Sequence, residues 1–140
     1  MHKYTVIIDP NVNDEVFGND NPFNLKKDLK TCKSKYKLQE VDLARYIADE
    51  IINDPNPPKH CKICEFNYSG LRKLRMPDTK NKKGSSFGFR IIVLVDFINN
   101  YAILLHIYNK IDKKDLSGIE KNKIKELNKK YDEALNDNVN

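Results

Sequence analysis

The chain has 140 residues, 39% of them hydrophobic and 32% charged, a composition suited to one domain (residues 1–140) with a modest core and a well-solvated basic surface. Its apolar runs are strand-sized and too short to cross a bilayer, and the opening MHKYTVIIDPN lacks the apolar core and small-residue cleavage site of a secretory signal. Three cysteines, an odd number, argue against a disulfide framework and for a reducing cytoplasm.

Residues 4–8 form a β-branched run ended by Asp9-Pro10, a first strand. The stretch 9–24 reads as an irregular insertion, because its residues 11–24 are rich in Asn and Asp. Leu25, Leu29, Cys32 and Tyr36 then fall at i, i+4, i+7 and i+11, one stripe of a helix. A second helix over 39–53 aligns Leu43, Ile47 and Ile51 until Asp54-Pro-Asn-Pro-Pro58 stops it.

Leu71–Met76 reads as a strand with Lys73 and Arg75 opposite Leu74 and Met76, followed by a polar loop over 77–86. Residues 87–97 and 101–109 form a hairpin joined through Ile98-Asn99-Asn100. Both of its strands are apolar on both faces and belong at the centre of the sheet. Ser117-Gly-Ile-Glu120 is a capping box opening a last helix, with Ile119, Ile124, Leu127, Tyr131 and Leu135 along one side. The order β-α-α-β-β-β-α describes an α+β domain, an antiparallel sheet packed with helices.

Charge is concentrated. Residues 70–90, GLRKLRMPDTKNKKGSSFGFR, hold seven basic side chains against Asp78, a local net of +6 in a chain of net +5. Such a field calls for an anionic partner or a solvated loop. Lys73 and Arg75 project from one strand face, Arg90 starts the next strand, and Lys80, Lys82 and Lys83 lie between them. The small residues after Lys83 would let backbone N–H groups approach a phosphate, and guanidinium forks grip phosphate oxygens in pairs.

His106, Tyr108 and Lys110 alternate along the last strand and share a face. A two-residue Asn99-Asn100 loop would pair Arg90 with Asn109, whereas a three-residue loop would pair it with Tyr108. His106 in an apolar strand reads more readily as a hydrogen-bonded core residue than as a general acid or base. The Cys61-Lys-Ile-Cys64 motif is half of a zinc site without its other half, so no metal and no cofactor is expected. It does not sit at the strand-to-helix junction of a thioredoxin-like unit either.

Taken together, Asp54-Pro55, Gly70-Leu-Arg-Lys-Leu-Arg75, the Lys-Gly-Ser-Ser-x-Gly-x-Arg-Ile-Ile run at 83–92, and Leu104-Leu-His-Ile-Tyr-Asn-Lys110 with Lys113, Asp115 and Leu116 resemble the RelE/HigB-type toxins of bacterial toxin–antitoxin modules. The resemblance spans residues 43–127. Phe87 interrupts that family's loop pattern, and residues 11–24 and the CxxC have no counterpart in it. What the resemblance implies is a cytoplasmic endoribonuclease that enters the ribosome and cleaves mRNA, the ribose 2′-OH attacking the adjacent phosphate. By motif position, Arg75, Arg90, Tyr108 and Lys110 would be catalytic, and Lys73, Lys80, Lys82, Lys83 and Lys113 would contact RNA. It also implies a cognate antitoxin with its own DNA-binding domain. Two other readings stay open: a ParE-like toxin of the gyrase-inhibiting branch, and a non-catalytic RNA-binding module.

Overall fold

A computed structural model of the chain describes residues 4–53, 62–63, 66–67, 70–81, 87–96 and 98–139. A four-stranded sheet runs in the order β1 (Thr5–Ile7), β6 (Tyr101–Asn109), β5 (Phe89–Asp96), β4 (Leu71–Met76). The hairpin strands β5 and β6 are central, as their two apolar faces require. A separate two-residue ladder joins β2 (Lys62–Ile63) and β3 (Phe66–Asn67). The helices are α1 (Pro10–Phe17), α2 (Leu25–Tyr36), α3 (Glu40–Asn53) and α4 (Gly118–Val139). The domain is therefore α+β. Among the described residues no helix is long and apolar enough to cross a membrane.

The sheet is mixed, which corrects the expected antiparallel one. β1 lies parallel to β6, with Thr5 opposite Tyr101 and Ile7 opposite Ile103. A strand's own residues do not name its partner, and the long connection from β1 leaves either direction open. The four strands divide the interior in two. Leu25, Cys32, Tyr36, Leu43, Ile47 and Ile51 of α2 and α3 meet the face carrying Phe89, Ile91, Val93 and Val95. The other face, with Leu71, Ile92 and Leu94, is covered by Ile124 and Leu127 of α4 and by Val12 and Val16 of α1. Residues 91–95 of β5 are all buried; at about 1.5–3 kcal/mol for each large aliphatic side chain, both faces must be covered. Ile119 departs from the expected α4 stripe and is 72% exposed in the first turn, while the side chain of Leu135 falls outside the described ones.

Residues 9–24 are not irregular. Asp9 is extended and its carboxylate accepts the Asn11 N–H at 2.9 Å, so it caps α1, with Pro10 at the first helical position. Gly18, at φ +74°, ends the helix in a backbone region that side chains disfavour. A single 3₁₀ turn (Gly18–Asp20) leads to Asn24, which caps α2 by accepting the Lys27 N–H. At the start of α4 the Ser117–Glu120 capping box forms in both directions, at 2.7 and 3.2 Å.

The hairpin register follows neither expected loop. Asp96 pairs with Tyr101 across a four-residue turn, whose Ile98 and Asn99 N–H groups both donate to the Asp96 carboxylate. That turn alone would misalign Arg90 and Tyr108 by one residue. A β-bulge then places Val93 opposite Leu104 but Ile92 opposite His106, restoring the Arg90–Tyr108 pair. The bulge is held from α1. The buried Asn13 amide donates to the carbonyl oxygens of Leu105 at 2.8 Å and Leu104 at 3.4 Å, on the β6 edge that the short β1 leaves open.

Candidate functional site

Two cross-strand rows line the end of the α4-facing side of the sheet. In the first, Arg75 of β4, Arg90 of β5 and Tyr108 of β6 stand directly opposite one another. In the second, Lys73, Ile92 and His106 do the same. Side chains opposite each other in a sheet lie roughly 4.5–5.5 Å apart at Cβ, so the first row brings two guanidinium groups and a phenol together. Arg75 is exposed, whereas Arg90 and Tyr108 are only 4% and 6% exposed. Burial, and then the charge of Arg75, push the Arg90 guanidinium below its ordinary pKa, with Tyr108 acting in the opposite direction. Two like charges in register with one of them buried form an arrangement that an anion would relieve.

The segment after β6 folds back over these rows. Lys110 continues the ladder past the strand end, its N–H donating to Gly88 O, and its Nζ turns to the Lys114 carbonyl. Asp115 reaches across to Lys73 on β4 at 3.6 Å and also holds Lys121 at 3.3 Å. Lys113 stands over the Tyr108 ring, its Nζ 5.4 Å from the ring centre. Of the residues expected to contact RNA, Lys73 and Lys113 are ion-paired within the chain, to Asp115 and Glu120 respectively. Lys80 donates to the Lys37 carbonyl at 2.6 Å and belongs to the link between α2 and α3, not to the rows. Lys82 and Lys83 lie outside the described residues, as do Cys61 and Cys64. The charge of residues 70–90 is also split between faces, because Arg72 points into the opposite side and is buried.

His106 is the hydrogen-bonded interior residue that its strand suggested. Its Nδ1 lies 2.7 Å from the Asp28 carboxylate and its Nε2 lies 3.1 Å from Lys113 Nζ. An ammonium can only donate, so Nε2 accepts and Nδ1–H donates to Asp28. Lys113 in turn contacts Glu120 at 2.6 Å. The ring is stacked on Phe23, with centroids 4.4 Å apart, and tilted against Tyr108. The result is a hydrogen-bonded chain, Asp28–His106–Lys113–Glu120, beside the basic rows. Burial raises the Glu120 carboxyl pKa, but the hydrogen bonds from Lys113 and the Ser117 backbone outweigh it, and the net shift is downward.

This chain borders a cavity of about 310 Å³ between the first turns of α2 and the end of β6. Tyr108 belongs both to the cavity wall and to the arginine row. Sequence reasoning missed Asp28, Phe23 and Glu120. Asp28 and Phe23 carry no local signal, being joined to His106 across about eighty positions of chain by the packing of α2 on the β6 edge. Glu120 did carry one, since the capping box that marks a helix start also turns its carboxylate back towards Lys113.

Among the described residues no group of three or more His, Cys, Asp or Glu side chains could hold a metal ion. No protein-family model, no curated protein and no solved structure matches this chain.

Proposed function

We propose that the chain is an endoribonuclease that cleaves mRNA on the ribosome, the toxin of a RelE/HigB-like toxin–antitoxin pair. The observation that carries this reading is the register placing Arg75, Arg90 and Tyr108 in one line across three strands. Phosphoryl chemistry at RNA needs fixed positive charge where the phosphorane charge develops, and a group that moves a proton. The row offers both without a metal. Arg75, exposed on the edge strand, meets the RNA phosphate first. Arg90 lies behind it in a drier setting, where its charge is worth more.

In the reaction the ribose 2′-oxygen attacks the neighbouring phosphorus as its proton leaves. The new P–O2′ bond displaces the 5′-oxygen, which takes up a proton, leaving a cyclic phosphate and a 5′-hydroxyl. Tyr108, under the Lys113 ammonium, is the proton-carrying group of the row. Lys110, at the strand end, holds the flanking phosphate. His106 has both ring nitrogens committed and serves to position Lys113. This reading requires a cognate antitoxin that covers the basic rows.

Induced expression tests it. Growth arrest with codon-dependent mRNA cleavage, relieved by Arg75→Ala, supports the reading. Normal growth with intact transcripts sinks it. DNA damage without mRNA cleavage would point instead to a gyrase-directed toxin.

A further inference from the structure

The cavity beside Tyr108 is built for something flatter and more polar than a hydrocarbon, and it is not an anion hole. Three carboxylates, Asp28, Asp112 and Glu120, line it and would repel a bare phosphate. Each is already partnered: Asp28 by His106, Asp112 by Lys35 and the Tyr36 hydroxyl, Glu120 by Lys113. Their remaining lone pairs are acceptors for N–H donors, while Lys113 is a donor. The walls include the rings of Phe23, Tyr36 and Tyr108, with Cys32 and Ile107 buried behind them. Lys27, exposed on the first turn of α2, lies at the rim.

Aromatic side chains, mixed donors and acceptors around hydrogen-bonded carboxylates, and an exposed lysine on the lining match a nucleotide that enters base first. The volume, about 310 Å³, lies at the lower end of the range for small-molecule sites and accommodates a single nucleoside. We propose that this cavity is a nucleobase pocket, holding one unstacked base while Lys27 faces its phosphate. Resting on the RNA-cleaving reading, the pocket also acquires a role. Because Tyr108 is shared with the arginine row, a base seated there fixes which phosphate lies on Arg75 and Arg90, and so sets sequence preference.

The test is a titration of the full chain with AMP, GMP, CMP and UMP, and separately with inorganic phosphate, followed by backbone NMR shifts. Saturable shifts confined to residues 22–36, 106–113 and the neighbourhood of Glu120 with at least one nucleotide, and none there with phosphate, are expected. Thr31→Trp, which fills the cavity from a half-buried helix position, weakens that binding by about tenfold or more, the scale of one lost base-stacking contact. Lys27→Ala, at an exposed position, weakens nucleotides but not the free nucleosides. No saturable shifts with any nucleotide, equal shifts with phosphate alone, or unchanged binding in a folded Thr31→Trp chain would overturn the pocket. The titration needs neither ribosome nor cleavage. Nucleotide binding by a chain that cleaves no RNA therefore supports the pocket and overturns only the endonuclease reading. Cleavage with the same sequence preference in Thr31→Trp as in the wild type overturns the pocket alone.

Discussion

Arg90 and Tyr108 face each other across β5 and β6 because a bulge in β6 cancels the offset left by the four-residue turn. The residue that secures the bulge is distant in sequence: Asn13, on α1, whose amide donates to the carbonyls of Leu104 and Leu105. Removing that amide takes a donor from the carbonyl oxygens of two buried residues. Asn13→Ala should cost about 1–3 kcal/mol, measured as a lower urea midpoint. Hydrogen exchange should rise first in β6, and on the proposed function RNA cleavage should fall more than folded protein is lost, because the Arg90–Tyr108 register depends on the bulge.

The Arg75–Arg90 pair predicts a trade between stability and function. Like charges directly opposite in a sheet repel, so Arg75→Gln should stabilise the free protein by about 0.2–1 kcal/mol. Thermal unfolding at low salt reads this, with the gain shrinking as salt screens the pair. The same variant should cleave RNA poorly.

Glu120 links stability to acid. Its folded pKa lies below the ordinary value of 4.5, so its carboxylate favours the folded state. That contribution is complete above the ordinary glutamate range and disappears as pH falls through the lowered folded value. Glu120→Gln should therefore be less stable than wild type at neutral pH, and the two should converge in acid. Denaturation midpoints across a pH series check both the sign and the window.

The capping box yields a smaller effect. Ser117→Ala removes the hydroxyl that accepts the Glu120 N–H and should cost about 0.5–2 kcal/mol. Because Glu120 also holds Lys113, this substitution should loosen Lys113 over Tyr108, visible as altered NMR shifts of the Tyr108 ring.

Much of the scaffold was legible because its signals are local. The stripe Leu25–Cys32–Tyr36, the line Leu43–Ile47–Ile51 and the capping box at Ser117 each depend on neighbours within a few turns. What stayed hidden was non-local or locally ambiguous. Asp9-Pro10 ends a strand and also caps a helix, and only the second role reveals α1. β6 is apolar on both faces, so a one-residue bulge leaves no break in alternation. The arginine row was half visible: the residue types were evident, while their alignment depended on Asn13 and the turn. Asp28 and Phe23, which shape the cavity, needed the docking of α2 on β6.

The most direct measurement is mapping of RNA ends in a reconstituted translation reaction containing purified protein. Wild-type protein should produce breaks within codons of ribosome-bound mRNA, leaving cyclic phosphate ends. Arg75→Ala and Tyr108→Phe, confirmed folded by circular dichroism, should reduce the cutting rate by roughly a hundredfold or more, the scale of a lost transition-state contact. Intact mRNA with wild-type protein, or equal cutting by both variants, would contradict the assignment of the Arg75–Arg90–Tyr108 row as an RNA-cleaving site.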